Sequence, residues 1–385
     1  MLHVKLAYTF DRCAGARTQL DNPLFDILSA IHATGSVGQA AARLQLSYRH
    51  VWGELKRWET ALSSSLIVWE RGKRARLSPF GEKLLFAEQR ARMRVMPQVE
   101  NLIAEMEREF ALAFDPNAHV IPMVASHDLA LSRLKDFMAR DAKLHLDLQF
   151  RGSLECIEAL GRGECLLAGF HVSEDRAPGS LTQKAFKALL KPGRHKLINF
   201  VGRQQGLMVA AGNPKRIRGV PDLARSDLRF VNRQLHSGTR LALEQLLAQA
   251  GIDPAAVNGF DTAEPTHLAV AASVASGLAD AGFGIQAAAA EFGLGFIPVM
   301  REQYYFVCLK EAVDVAPIST LRALLGRSEW QGLIDDLSGY DTAGAGQVIA
   351  LSRALPWYAF RKPKRKVEQK AEQTAAKAAE QNAHG

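Results

Sequence analysis

"SYRHVWGELKRWE", residues Ser47 to Glu59, decides the fold of the first part of this chain. Val51, Leu55 and Trp58 recur at the spacing of one helical face, which predicts a helix packed on a core. Between them lie the large polar and cationic side chains of Tyr48, Arg49, His50, Lys56 and Arg57. This division predicts a helix that is held on its domain by one face and contacts a partner with the other.

The two segments before this helix carry helix signals of their own. In "NPLFDILSAIHATG", Asn22 is placed as an N-cap before Pro23, and Gly35 follows the last turn. In "SVGQAAARLQL", Ser36 and Gln39 have the spacing of a capping box. Two short helices and a tight turn before a third helix are typical of a helix-turn-helix, whose third helix lies in the DNA major groove.

A basic hairpin is predicted directly after the third helix. "SLIVWERGKRARLSPF" contains two strand-like runs, 66–70 and 74–77, joined by a tight turn at Gly72. The cations at or beside its tip, which would contact phosphates, are Arg71, Lys73, Arg74 and Arg76. We therefore predict a winged helix over residues 1–80, in which Ser36, Ser47 and the polar face of the third helix also contact DNA. The alternatives are an ordinary amphipathic surface helix and a solvated charged turn.

Residues 81–114 are predicted to form a linker and dimerisation helix, interrupted near Pro97. Apolar residues recur along its second half at alternating spacings of three and four, as Met96, Val99, Ile103, Met106 and Phe110. This pattern is typical of a coiled-coil seam between two copies, which would present two winged helices to a two-fold DNA site. The alternative is that the same face packs on the second domain of its own chain.

These N-terminal segments resemble two families of bacterial regulators. "SYRHVWGELKRWE" with "GSVGQAAARLQL" resembles the DNA-binding domain of ModE-type molybdate regulators, and it is similar to the LysR-type winged helix with its linker helix. The resemblance covers roughly residues 20–90 and includes the Ser-Tyr-Arg cap and Trp52. It implies sequence-specific operator binding as a dimer.

From residue 118 to about 345, strands alternate with helices. Such alternation predicts a mostly parallel sheet that binds ligands at the carboxyl ends of its strands. The segments "SHDLAL", "GSLECIEALGRGEC", "FVNRQLHSGTR" and "THLAVAASVASGLADAGFGI" resemble type 2 periplasmic-binding proteins. The predicted fold is therefore multidomain α+β, with a two-lobed α/β domain behind the linker. Lobe I spans about 118–201 and 302–345, and lobe II about 202–301.

The helix starts of this domain predict a site for a small anion, because backbone N–H groups, hydroxyls and helix dipoles would converge there. Taken singly, each serine could equally be a plain helix cap. The predicted ligand-binding residues are Ser126, His127, Asp128, Gly152, Ser153, His171, Asn232, Arg233, Ser237, Gly238, Thr239, Arg240, Thr266 and His267. The resemblance favours molybdate or tungstate as the effector, with formate or another small carboxylate second. No cofactor or metal is predicted.

Charge and composition narrow the function further. The net charge of +8 divides into +4 over residues 1–114, zero over 115–360 and +4 over 361–385, so the chain ends favour a polyanion such as double-stranded DNA. Residues 353–385 are predicted to be a disordered basic tail, and the chain is expected to be a cytoplasmic homodimer or homotetramer with no membrane partner.

We predict a ligand-responsive transcriptional regulator and no catalytic residues. "SHD" at 126–128 contains a hydroxyl, an imidazole and a carboxylate, but three consecutive side chains point in different directions and cannot form a hydrolase relay. The alternative function is an architectural DNA-binding protein whose C-terminal domain only mediates oligomerisation.

Overall fold

The computed structural model describes residues 23–69, 75–114, 119–141, 144–174 and 179–358. The predicted N-terminal strand, the Asn22 cap, the wing-tip residues Arg71, Lys73 and Arg74, and the tail beyond residue 358 lie outside this range. Within the range, no helix combines the length and the apolar character needed to cross a bilayer.

The N-terminal unit has three helices and a short hairpin. Its elements are α1 (Pro23–Thr34), α2 (Val37–Arg43), α3 (Tyr48–Leu62), β1 (Ile67–Val68) and β2 (Arg76–Leu77). Ser36 and Ser47 are the N-caps of α2 and α3, as predicted. Val51 and Leu55 of α3 are buried against α1, and β1 pairs antiparallel with β2. The unit is therefore the predicted arrangement of three helices and a hairpin, which we call the winged unit.

The linker is a single helix, α4 (Pro79–Phe114), and not two segments divided at Pro97. Proline has no N–H, so the carbonyl four residues earlier, that of Met93, loses its bond within the helix. The Thr266 hydroxyl donates a hydrogen bond of 3.1 Å to this carbonyl instead. The helix continues through the proline because another part of the chain supplies the missing donor.

The predicted seam on α4 packs on the chain's own second domain, which is the alternative that the sequence left open. Val99 is only 6% exposed, and Met96 and Ile103 are half-buried, because α4 packs on the sheet domain. The side chain of Phe110 is not among those that the structure describes. The exposed apolar side chains of this stretch are instead Val95 and Leu102. A four-and-three repeat shows that a face is buried, but the burying surface can belong to the same chain.

The second domain is built on one mixed sheet. Its strands are β3 (His119–Ala125), β4 (Leu144–Phe150), β5 (Leu167–Ser173), β6 (His195–Val209), β7 (Phe230–Arg233), β8 (Ala263–Glu264), β9 (Ala281–Ile285), β10 (Gly295–Leu309), β11 (Tyr340–Asp341) and β12 (Val348–Ile349). Its helices are α5 (Leu129–Asp141), α6 (Ser153–Arg162), α7 (Leu181–Phe186), α8 (Gly238–Gln249), α9 (His267–Ala275), α10 (Gln286–Glu291), α11 (Ala316–Leu325), α12 (Ser328–Asp335) and α13 (Leu351–Ala354).

Two long antiparallel strands, β6 and β10, connect the two lobes. The strand order is β4-β3-β5-β10-β6-β9-β7-β8, with β11 and β12 also paired to β6. The strands of each lobe, β3 to β5 and β7 to β9, pair in parallel within their lobe, as the sequence predicted. The predicted lobe boundaries near 201 and 302 fall inside β6 and β10, where Arg203 lies directly opposite Glu302. The ends of β3, β4 and β7 all point toward the gap between the lobes.

Candidate functional site

A cavity of about 270 Å³ lies between the lobes, at the ends of β3, β4 and β7. Most of the predicted ligand residues line it, namely Ser126, His127, Gly152, Ser153, His171, Arg233, Ser237, Gly238, Thr239 and His267. The lobes approach closely at its edge: a Cβ atom on Gly152 would lie 3.4 Å from the His236 carbonyl oxygen, and one on Gly238 would lie 3.5 Å from Ser153 Oγ. The described state is therefore one with closely apposed lobes.

Arg233 is the most unusual charge in the cavity. Its side chain is only 6% exposed and has no carboxylate within ion-pair distance among the described residues. One terminal guanidinium nitrogen donates to the Pro265 carbonyl at 2.9 Å, and Nε has no hydrogen-bond partner among the described residues. Burial and the nearby Arg203 lower the pKa of Arg233. A buried cation that lacks a counter-ion favours an anion beside it.

Three hydroxyls lie at the cavity, and those of Ser153 and Ser237 have no acceptor for their protons among the described residues. Ser153 makes no side-chain hydrogen bond within the described chain. Thr239 Oγ1 accepts from Gln205 Nε2 at 3.2 Å and lies 3.5 Å from His267 Nε2, and Ser237 Oγ accepts from the Arg240 N–H at 3.2 Å. Ser153, Ser237 and Thr239 belong to the starts of α6 and α8, where backbone N–H groups and the helix dipoles also favour negative charge.

Ser126, His171 and Asp128 form a buried chain. Ser126 Oγ lies 2.7 Å from His171 Nδ1, and His171 Nε2 lies 3.2 Å from Asp128 Oδ2. Asp128 accepts at its carboxylate, so His171 donates from Nε2 and accepts the Ser126 hydroxyl proton at Nδ1. The three consecutive side chains of 126–128 form no relay by themselves, as the sequence argued; the imidazole between Ser126 and Asp128 is that of His171 on β5, and the adjacent His127 lies against Glu100.

The hydrogen-bonded series Ser126–His171–Asp128 is poorly suited to general-base catalysis. Burial and Arg203 lower the pKa of His171 to about 4, so the imidazole is neutral and weakly basic at neutral pH. The Asp128 carboxylate is also paired with Arg203 and accepts from the Tyr340 hydroxyl at 3.1 Å. These three side chains form the floor of the cavity and do not prepare Ser126 for nucleophilic attack.

Four predicted ligand residues do not line the cavity. Asp128 lies beneath it. Asn232 donates to the Phe260 carbonyl at 3.1 Å, and Thr266 caps α9 and donates to Met93. Arg240 pairs with Glu244 at 3.0 Å and stacks on Phe260. Each sits at a strand end or helix start as predicted, but its side chain points away from the cavity, that of Thr266 toward α4.

Several cavity residues were missed in the sequence. Arg203 lies in the middle of β6, where no helix start marks a ligand residue, and its side chain is 1% exposed. Gln234 directly follows the predicted Arg233, and Glu155 accepts from the Gly152 N–H at 3.3 Å at the cavity edge. Pro97, Gln98 and Asn101 come from α4, which the sequence assigned to a different domain.

The winged unit presents its own polar surface. Tyr48, Arg49 and His50 are exposed in the first turn of α3, and Arg76 is exposed on β2. Arg49 has no hydrogen bond or ion pair among the described residues. The predicted Ser36 and Ser47 use their hydroxyl oxygens as helix caps. Sequence reasoning did not foresee two ion pairs on α3, Lys56 with Glu59 at 2.8 Å and Arg57 with Glu54 at 2.6 Å.

Comparison with known proteins identifies both parts of the chain. A profile described as "Bacterial regulatory helix-turn-helix protein, lysR family" matches residues 24–82. A profile described as "PBP superfamily domain" matches residues 134–326, half of the chain. The first match covers the winged unit, and the second lies within the two-lobed domain that encloses the cavity.

Individual proteins resemble the chain over different lengths. The chain is 32% identical to the uncharacterized protein YvgK of Bacillus subtilis (strain 168) over 235 residues, which cover 61% of this chain and 75% of YvgK. A short uncharacterized protein of Clostridium pasteurianum is 28% identical over 110 residues, covering 28% of this chain and 97% of its own length. Among solved structures, ArgP from Mycobacterium tuberculosis aligns with a TM-score of 0.37 and 19% identity, covering 80% of this chain and 97% of that one.

Proposed function

This chain belongs to the PBP superfamily. We propose that, with its lysR-family helix-turn-helix, it is a ligand-responsive DNA-binding transcriptional regulator whose ligand is a small oxyanion held in the cavity between the lobes. The observation that carries this proposal is Arg233, a buried guanidinium without a carboxylate partner in the described chain, beside the hydroxyls of Ser153 and Thr239. An oxyanion would supply the missing counter-charge and accept the Ser153 hydroxyl proton.

Molybdate or tungstate is our first candidate, and formate or another small carboxylate is the second. A tetrahedral dianion has four oxygens, which would accept from Ser153, Thr239, Arg233 and a helix N-terminus together. Formate has two oxygens and would leave most of the 270 Å³ cavity to water. The number of separate donors around the cavity therefore supports the tetrahedral anions.

We also propose that the regulator acts as a dimer or tetramer that pairs through the exposed side of α4. Val95 and Leu102 are 42% and 43% exposed and lie seven residues apart on this helix, the repeat of a coiled-coil seam. A second copy pairing along this side would place two winged units on one duplex, with Tyr48, Arg49 and His50 toward base edges and the cations of the wing toward phosphates.

The ligand is tested by measuring thermal unfolding of the purified protein with sodium molybdate, tungstate and formate, and with sodium chloride as the control. A ligand at about 100 times its Kd stabilises the folded state by about 2.7 kcal/mol, which raises the melting temperature measurably. We expect a rise with molybdate and tungstate beyond that in sodium chloride. Equal melting temperatures in all four salts would refute a small-oxyanion effector.

A further inference from the structure

The first half of α4 is attached to lobe II. The Arg94 guanidinium makes two hydrogen bonds to the Glu264 carboxylate at the end of β8, at 2.5 and 2.6 Å. Thr266, at the start of α9, donates to the Met93 carbonyl that Pro97 leaves free. Glu264 is almost completely buried, so its charge is matched chiefly by a side chain of the linker helix.

The second half of α4 is attached to lobe I. Asn101 Oδ1 accepts the backbone N–H of Phe150 at the end of β4, at 2.7 Å. About two turns further along the helix, Arg108 pairs with Asp147 of the same strand at 3.1 Å. The helix therefore holds lobe II before Pro97 and lobe I after it.

The cavity lies under the point where the helix passes from one lobe to the other. Pro97, Gln98 and Asn101 are part of its lining, together with Arg203 and Arg233. Separating the lobes to admit a ligand would require one of the two sets of α4 contacts to break. The same helix carries the winged unit, since a single residue separates it from β2 and its Leu85 is buried in the core of that unit.

We propose that α4 is a latch across the effector cleft, and that Gln98 and Asn101 are effector-contacting residues supplied by the linker helix. A ligand bound between apposed lobes stabilises the state in which both sets of contacts exist together. The orientation of α4, and with it that of the winged unit, then depends on cleft occupancy. The identity of the ligand in this inference rests on the proposed function, but the latch itself does not.

The latch can be tested without any ligand by hydrogen exchange on the full-length protein. Arg94→Ala removes the pair with Glu264, and Arg229→Ala is a matched control, because Arg229 also pairs with a lobe II carboxylate, Asp280, at 2.9 Å but lies outside the cavity. We expect the amides at the start of α9 and the end of β4 to exchange at least about fivefold faster in Arg94→Ala only. Arg94→Lys, which keeps the charge but loses the paired geometry, should be intermediate.

Titration calorimetry with sodium molybdate then separates the latch from the ligand assignment. If both proposals hold, Arg94→Ala weakens molybdate binding at least about fivefold, and Arg229→Ala leaves it unchanged. Faster exchange in Arg94→Ala, together with no molybdate binding by the wild type, would support the latch and refute the effector. Wild-type exchange rates in Arg94→Ala would overturn the latch, whichever anion binds.

Discussion

Arg203 and Glu302 lie directly opposite each other on β6 and β10, the two strands that cross between the lobes, and their side chains form an ion pair that is almost completely buried. Asp128 binds the same guanidinium from the turn before α5. The hinge between the lobes and the floor of the cavity are therefore one cluster of charges, and a change at the hinge reaches the ligand site directly.

Breaking this cluster should destabilise the fold. Glu302→Gln keeps the shape of the side chain but leaves part of the Arg203 charge uncompensated in a buried site. Removing one partner of a buried pair costs about 3–5 kcal/mol, and we expect the lower value because Asp128 remains. Urea unfolding at pH 7 measures the loss. A decrease below about 1 kcal/mol would show that the pair contributes little.

The free energy of unfolding should decrease as the pH falls from about 6.5 to 4. Burial and Arg203 lower the pKa of His171 to about 4, so between these pH values the unfolded chain binds a proton that the folded chain does not. The resulting loss in the free energy of unfolding reaches about 3 kcal/mol below pH 4, and it is absent above pH 6.5. Burial also lowers the pKa of His267, which adds to the same pH dependence.

His171→Gln tests this source of pH dependence. Urea unfolding at several pH values should give a flatter profile for His171→Gln than for the wild type, whereas His50→Gln, an exposed control in the winged unit, should retain the wild-type slope. Parallel profiles for all three proteins would assign the pH dependence to other groups.

Two charge substitutions on α4 should have opposite effects. Val99→Glu places a carboxylate against the chain's own domain, so we expect a loss of about 2 kcal/mol or more in stability. Leu102→Glu lies on the exposed side and should leave stability unchanged but split the proposed dimer. Denaturant unfolding and sedimentation measure the two outcomes. A dimer that survives Leu102→Glu would place the subunit interface elsewhere.

Arg49 and Arg76 should contribute differently to DNA binding. If Arg49 reads a base edge, Arg49→Ala should reduce discrimination at one base pair by about 1–3 kcal/mol. If Arg76 contacts a phosphate, Arg76→Ala should weaken operator and random DNA alike and reduce the salt dependence of binding. Fluorescence anisotropy on both kinds of duplex at several salt concentrations distinguishes the two patterns. Identical patterns would exclude this division of roles.

Local signals in the sequence predicted the elements well. Ser36 and Ser47 cap the helices where their spacing indicated, and the ends of β3, β4 and β7 carry the predicted polar residues. These features depend on neighbours a few residues away, which a single sequence displays. The direction of a side chain depends on contacts across the whole domain, which explains why Arg240 pairs with Glu244 and Thr266 points toward α4 instead of entering the cavity.

Long-range contacts could not be predicted. In the sequence, nothing marks Arg203 as a cavity residue, because its partner Glu302 lies 99 residues later and is opposite to it only in the folded sheet. Similarly, the apolar repeat on α4 predicted a buried face, but the sequence could not distinguish a partner subunit from the chain's own lobes. Pro97 suggested a break in the helix, and only the position of Thr266 explains its continuity.

The most direct test of an oxyanion site at Arg233 is titration calorimetry with sodium molybdate on three proteins: the wild type, Arg233→Gln and Arg240→Gln. Arg240 is the matched control, because it is a nearby arginine of the same lobe whose charge is already paired with Glu244 outside the cavity. Losing charged hydrogen bonds should cost about 1.5–3 kcal/mol, so Arg233→Gln should bind molybdate more than about tenfold more weakly. Arg240→Gln should bind like the wild type. Equal affinities for Arg233→Gln and the wild type would contradict the account.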